Sequence, residues 1–168
     1  MSRRWVPPVR RPAASVRRVV LAWTRATAVV AGQLGVLVAS LWLFAHTQRS
    51  ELPLFVAWLP LLAFAGLLLV AARTKYRRAG RENPAWVGYL LVAAAPFTAF
   101  GGGCAVDGAL PLGARLLRSG VRIGVELGDG ACHTYLNGAL LVLGYAMLGV
   151  GLHLDDRGLG WFAERLVD

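Results

Sequence analysis

The chain has 168 residues, of which 57% are hydrophobic and 16% are charged, and its formal net charge is +9. Since about a quarter of the residues in soluble proteins are charged, this composition excludes an ordinary soluble domain and indicates a surface that faces lipid. A strongly basic chain can bind nucleic acid, but here the basic residues lie beside long apolar segments, which indicates a membrane surface instead.

Four apolar segments without Asp, Glu, Lys or Arg occupy residues 26–45, 52–72, 84–103 and 136–154. A helix needs about 20 residues, at about 1.5 Å each, to cross a hydrocarbon layer about 30 Å thick. The segments have 19 to 21 residues. We therefore predict an all-α fold: a polytopic integral membrane protein with a four-transmembrane-helix bundle over residues 26–154.

The basic residues predict the orientation. Fourteen of the eighteen lie in the tail 1–25, the connection after the second span and the tail 155–168, and four lie in the other two connections. Because positive charge retains a segment in the cytoplasm, both termini are predicted to be cytoplasmic. Seventeen arginines against one lysine indicate a GC-rich bacterial genome, and hence a multi-pass protein of the inner (plasma) membrane.

The basic residues nearest the spans are expected to contact anionic lipid head groups. They are Arg17, Arg18, Arg25, Arg73, Lys75, Arg77 and Arg78. A basic segment at residues 13–24 is also expected to continue the first helix into the cytoplasm.

Small residues at helical spacing predict close helix packing in the first and fourth spans. They are Ala28 with Gly32, then Ala31, Gly35 and Ala39, and in the fourth span Gly138, Gly144, Gly149 and Gly151. The pattern suits contact within the bundle and contact with a second copy or another membrane protein equally well.

Two prolines are expected to kink the second and third helices. Pro60 and Pro96 would leave the carbonyls of Val56 and Val92 without their helical donors. Thr98 is the nearest hydroxyl to the second of these carbonyls.

The segment 104–135 is predicted to be an external loop, and its length indicates structure of its own. Residues 112–122 have the spacing of a short amphipathic helix, with Leu112, Leu116, Leu117 and Val121 on one side. Residues 121–127 alternate at strand spacing instead, so periodicity leaves the two structures open.

Cys104 and Cys132 bracket this loop on the oxidising side of the membrane and are predicted to form a structural disulfide. Closing a loop of 27 intervening residues would stabilise the fold by about 3–4 kcal/mol. Two alternatives are a redox-active pair and a metal site formed by the two cysteines with His133 and His46. No cofactor is predicted.

Four spans, cytoplasmic termini and a cysteine pair around the second external loop resemble the disulfide bond formation protein B family, which passes electrons from a periplasmic oxidase to quinone. That family carries a second pair, spaced CxxC, in its first external loop, where it interacts with quinone. This chain has His-Thr-Gln-Arg-Ser-Glu there, at residues 46–51. The resemblance therefore covers the layout and one cysteine pair.

The chain has no P-loop, Gly-x-Ser-x-Gly or His-Glu-x-x-His motif, and its spans contain no carboxylate. We expect a non-enzymatic accessory, assembly or scaffolding subunit that binds a membrane protein or a second copy through its helix faces and external loop. One alternative is an oligomeric channel or transporter, and the other is a thiol oxidoreductase. A transport path would be lined by Gln33, Tyr89, Thr98, Asn137 and Tyr145.

Overall fold

The computed structural model describes residues 12–47, 53–98, 102–104, 113–128 and 132–157. In chain order the elements are α1 (Pro12–Thr47), a 3₁₀ helix (Leu54–Trp58), α2 (Leu59–Ala79), α3 (Ala85–Ala94), β1 (Gly102–Cys104), β2 (Ala114–Ser119), β3 (Arg122–Leu127), β4 (Cys132–Asn137) and α4 (Gly138–Arg157). The structure is mostly helical, in agreement with the predicted all-α class. A four-stranded sheet is inserted between α3 and α4. The N-terminal part of the predicted tail 1–25 and most of the tail 155–168 lie outside the described residues.

Helix α1 contains the whole of the first predicted span and continues beyond it toward the N-terminus. Its 36 residues correspond to a length of about 54 Å, which exceeds the hydrocarbon thickness. The predicted extension of the first helix through residues 13–24 is confirmed. The helix ends at Thr47, whose hydroxyl donates to the Phe44 carbonyl at 2.8 Å.

The predicted kink at Pro60 is wrong, because the second apolar segment is divided before that residue. Pro60 occupies the first turn of α2, where the missing N–H has no intrahelical partner to lose. The Val56 carbonyl accepts from the Leu59 N–H in the 3₁₀ helix. Helix α2 passes the predicted end at residue 72 and stops at Gly80, whose φ of 76° is in the left-handed region.

The predicted third span, 84–103, is wrong in its C-terminal half. Helix α3 has 10 residues and is followed by a turn around Pro96. Pro96 has no N–H to donate to Val92, so the regular helical ladder is interrupted there, and the N–H groups of Phe97 and Thr98 both donate to the Ala94 carbonyl. The Thr98 hydroxyl donates at 3.1 Å to the Ala94 carbonyl, not to Val92.

The external segment contains strands, so of the two structures that periodicity left open the structure has the strand, with β2 at Ala114–Ser119. β2 pairs with β3 in register from Ala114 opposite Leu127 to Ser119 opposite Arg122. The turn between them is Gly120-Val121, and Gly120 has a φ of 59°, as the favoured two-residue hairpin turns require. The strand pattern of residues 121–127 is confirmed. All pairs are antiparallel, in the order β1-β4-β3-β2.

Helix α4 starts two residues later than predicted, because Leu136 and Asn137 still belong to the sheet. The Gly138 N–H donates to the Val121 carbonyl at 3.0 Å, and the Asn137 side chain accepts from the Leu140 N–H at 3.2 Å. This side-chain bond satisfies a donor of the first helical turn. The strand therefore leads directly into the helix.

The four helices run alternately between two ends of the molecule. At the end that carries the sheet, which we call the sheet end, the Asn137 N–H donates to the Ala95 carbonyl at 3.0 Å. At the opposite end the Asn83 amide donates to the Gly151 carbonyl at 3.1 Å. We call this the basic end, because the N-terminal half of α1 and the C-terminal end of α2 bring their arginines there. One apolar core joins residues of the helices and of β3 and β4.

Two helical segments, Val16–Thr47 and Phe55–Ala79, are long and apolar enough to cross a membrane. The apolar helices Ala85–Ala94 and Gly138–Leu154 are shorter. The structure therefore supports membrane association through α1 and α2, whereas α3 is shorter than a crossing helix and the apolar part of α4 is at the lower end of the required length.

Candidate functional site

The sheet brings the two cysteines of the chain directly opposite each other. In the antiparallel pair of β1 and β4, Cys104 is the partner of Cys132. Directly opposed residues have Cα atoms about 4.5–5.5 Å apart, which is inside the range of about 4.4–6.8 Å found across disulfides. Cys132 is completely buried and is not a free thiol. The backbone thus has the geometry that the predicted disulfide requires.

Cys132 lies on the face of the sheet that packs against the helices. Alternate residues of a strand point to the same face, so Cys132 shares its face with Leu136 and, across the pair, with Leu127. These three residues are almost fully buried and belong to the same core as Leu41 of α1. The sheet is therefore fixed to the helices by apolar packing on the side of Cys132.

The opposite face carries polar and aromatic side chains. His133 and Tyr135 have ring centroids 5.9 Å apart, and Glu126 lies opposite His133 in the neighbouring strand. Because His133 and Cys132 are consecutive strand residues, they point to opposite faces.

Of the proposed metal ligands, His133 is therefore directed away from Cys132. His46 lies on α1 and stacks on Trp42, with ring centroids 5.7 Å apart. Across the described residues, no group of three or more His, Cys, Asp or Glu side chains could hold a metal ion.

Strand β2 is at the edge of the sheet and, among the described strands, pairs only with β3. Leu116 is 62% exposed, and Val121 in the adjoining turn is 70% exposed. An edge strand offers backbone donors and acceptors to another strand, and exposed apolar side chains beside it add contact area. This edge is a candidate surface for a protein partner.

The glycines predicted for helix packing in α4 make close contacts inside the bundle. A Cβ at Gly144 would lie 2.8 Å from the Val92 side chain, and one at Gly149 would lie 2.6 Å from the Trp23 ring. At Gly138 the nearest atom is the Val121 carbonyl oxygen, at 2.6 Å.

The small residues of α1 lie on one side of the helix but have different surroundings. Gly32 is in contact with the Phe64 ring, where a Cβ would lie at 3.0 Å. Ala28, Ala31, Gly35 and Ala39 are exposed, and a Cβ at Gly35 would meet nothing within 4 Å. The bundle therefore contacts Gly32 and leaves the other four residues open on the surface of α1.

The polar residues predicted for a transport path have different surroundings. Tyr145 lies against Trp23, with ring centroids 5.2 Å apart, and its hydroxyl is 3.3 Å from that of Thr27. Asn137 caps α4 at the sheet end and Thr98 is exposed, whereas Tyr89 packs against the core.

Gln33 is one of the polar side chains buried within the described part of the bundle. It is 1% exposed, and its Nε2 has no hydrogen-bond partner among the described residues.

A groove at the basic end between α2 and α3 was not predicted. Its volume is about 510 Å³, and it is lined by Leu69, Ala72, Arg73, Tyr76, Arg81, Trp86 and Leu90. We call it the basic groove. The Tyr76 and Trp86 rings meet edge to face at 5.4 Å, and the Trp86 indole N–H donates to the Arg81 carbonyl at 3.3 Å.

The sequence contains one signal for this groove. Leu69, Arg73 and Tyr76 are spaced four and three residues apart, which places them on one face of a helix. The groove residues of α3 could not be predicted in this way, because they reach the groove only when α2 and α3 fold back on each other and bring Trp86 against Tyr76.

No known protein family, characterised protein or solved structure matches the chain.

Proposed function

We propose that this protein is a non-enzymatic accessory or scaffolding subunit of a membrane assembly, and that its disulfide-linked sheet presents the β2 edge to a membrane-protein partner. The observation that carries the proposal is the position of Cys104 opposite Cys132 in a sheet whose buried face belongs to the helical core. A covalent link at that point would hold the sheet in one orientation on the helices. A fixed recognition surface lowers the entropy lost on binding.

The proposed topology has four passes, with both termini in the cytoplasm. The alternating course of α1 to α4 between the two ends supports it. So does the charge at the basic end, where Arg17, Arg18, Arg25, Arg73, Lys75, Arg77, Arg78 and Arg81 follow the cytoplasmic bias of positive residues. In this topology the sheet lies on the outer side of the plasma membrane, where disulfides persist.

The partner is expected to bind the edge of β2 rather than the buried face. Leu116 is on the exposed part of that strand, and the backbone groups on the outer side of β2 can extend the sheet.

A photo-reactive residue at position 116 tests this proposal. We expect a discrete cross-linked adduct in native membranes, which disappears in the Cys104→Ser/Cys132→Ser variant. The matched control is the same residue at position 67, because Leu67 is 66% exposed on α2 within a candidate span. Equal adducts from both positions, or none from position 116, would overturn the proposed recognition surface.

Thiol trapping in native membranes separates the scaffold from a thiol oxidoreductase. A scaffold predicts a cysteine pair that is fully oxidised under all growth conditions. A mixture of oxidised and reduced protein, or a mixed disulfide with another protein, would replace the scaffold by the oxidoreductase.

Transport is the second candidate function, and the buried amide of Gln33 is the observation that favours it. An amide inside an apolar bundle is costly unless it has a hydrogen-bonding role. A substrate-dependent flux in liposomes that is lost in Gln33→Leu would support transport over the scaffold.

A further inference from the structure

We propose that the basic groove is a binding site for one anionic glycerophospholipid, with the phosphate held by Arg73 and Arg81. This inference requires membrane association but does not depend on the scaffold role, so either can fail without the other.

The charged end of the groove fits a phosphate. Arg73 projects from the last part of α2, and Arg81 lies in the connection to α3. Two guanidinium groups from different segments can each donate two hydrogen bonds to phosphate oxygens. Among the described residues that line the groove there is no carboxylate, and Glu82, next to Arg81, is not one of them.

Trp86, one ring of the aromatic pair, holds the backbone of Arg81 in position. The indole N–H of Trp86 donates to the Arg81 backbone carbonyl at 3.3 Å, which ties the connection to α3. Tyr76 is 47% exposed beside the same ring. Amphipathic aromatic rings of this kind are favoured at the level of lipid head groups.

The other end of the groove fits an acyl chain. Leu69 lies about 10 Å from Tyr76 along α2, toward the middle of the candidate span Phe55–Ala79. Leu69 is 51% exposed, and Leu62, seven residues earlier on the same side of the helix, is 55% exposed. An apolar track therefore leads from the two arginines into the hydrocarbon layer. This combination of charge and apolar length favours a lipid over free phosphate.

The test measures lipid retention by native mass spectrometry on the full chain. The ligands are dioleoyl-phosphatidylglycerol, dioleoyl-phosphatidylcholine and inorganic phosphate. The variant is Arg73→Gln/Arg81→Gln, and its matched control is Arg77→Gln/Arg78→Gln, which removes the same charge from exposed residues outside the groove.

We expect wild type and the control to retain one phosphatidylglycerol in preference to phosphatidylcholine. The groove variant should need at least about tenfold more lipid, because hydrogen bonds to charged groups are the strong ones. An equal loss of phosphatidylglycerol retention in the two double variants would show that overall positive charge, and not the basic groove, binds the lipid. That result would overturn the proposed site. Displacement of the lipid by equimolar inorganic phosphate would overturn the lipid as the occupant.

A second pair of variants keeps both arginines and fills the apolar end. Leu69→Trp should lower phosphatidylglycerol retention, whereas Leu67→Trp, on an exposed position outside the groove, should not. Unchanged retention in Leu69→Trp would overturn the acyl track.

Discussion

Asn83 joins α3 to α4 through both ends of its side-chain amide. Its Nδ2 donates to the Gly151 carbonyl at 3.1 Å, and its Oδ1 accepts from the Ala85 N–H at 2.9 Å. The side chain is completely buried. One residue thus satisfies a donor at the start of α3 and an acceptor near the end of α4.

Asn83→Ala is predicted to lower the free energy of unfolding by about 1–3 kcal/mol, because it leaves the buried Ala85 N–H without its acceptor and removes the bond that links α3 to the Gly151 carbonyl of α4. Thermal unfolding in detergent measures the change. Glu82→Ala is the matched control, since Glu82 is exposed and adjacent. Equal effects of the two substitutions would contradict the bridging role of Asn83.

Gly88→Ala is predicted to destabilise the bundle by about 1–3 kcal/mol. A Cβ there would lie 2.7 Å from the Leu148 backbone nitrogen and 2.8 Å from the Gly144 carbonyl oxygen, so α3 and α4 would have to separate. Gly35→Ala, which meets nothing within 4 Å, should leave monomer stability unchanged or slightly increased. Unfolding of both variants in detergent is the measurement. A loss of stability in Gly35→Ala that depends on protein concentration would instead indicate that the exposed small residues of α1 form a contact between copies.

Features set by neighbouring residues could be predicted from this sequence, and features set by contacts between distant segments could not. The apolar run in α1 is a local property of consecutive residues, and both the helix and its N-terminal extension were predicted. The end of α3 was not, although Pro96 was recognised, because a proline is compatible with either a kink or a helix end. Residues 112–122 carry apolar side chains at spacings that suit a helix and a strand, and the pairing with β3 decides between them.

The candidate sites divide in the same way. The predicted proximity of Cys104 and Cys132 rested on topology, and the strand register agrees with it. The predicted metal ligand His133 is on the opposite face of the sheet from Cys132, because the two are consecutive strand residues. The basic groove was missed because its α2 and α3 residues meet only in the folded hairpin.

Gln33→Met is predicted to raise the free energy of unfolding, or to leave it unchanged. The substitution removes a buried amide nitrogen that has no hydrogen-bond partner among the described residues, and it keeps a similar volume. Reversible unfolding in mixed micelles measures the change, with the neighbouring Leu34→Met as the volume-matched control. A loss of stability confined to Gln33→Met would contradict the prediction and indicate a polar occupant next to the amide.

The proposed orientation predicts opposite labelling of two introduced cysteines by a membrane-impermeant maleimide. Val121→Cys, at the sheet end, should be labelled in intact spheroplasts, whereas Arg78→Cys, at the basic end, should be labelled only after permeabilisation. Both native side chains are exposed, so accessibility within the protein does not limit either reaction. Wild type is the control, and it should remain unlabelled if its cysteines are paired. Labelling of Arg78→Cys in intact cells would contradict the cytoplasmic position of the basic end.

Removal of the cysteine pair is predicted to affect the sheet more than the helices. Cys104→Ser/Cys132→Ser should lower stability by about 2–4 kcal/mol, the usual contribution of a disulfide that closes a loop of this length. Its largest effect should be faster hydrogen exchange in β1 and β4, because β1 has three residues and its described ladder is to β4 alone. Exchange in α4 between Gly144 and Gly151 should change little, since that segment is held by contacts with α3 and by the Asn83 amide.

Treating wild type with a strong reductant is the matched control, and it should give the same exchange pattern. Uniformly faster exchange along α4 in the variant would mean that the cysteine pair stabilises the whole bundle, and that the sheet is not an independent surface mounted on it.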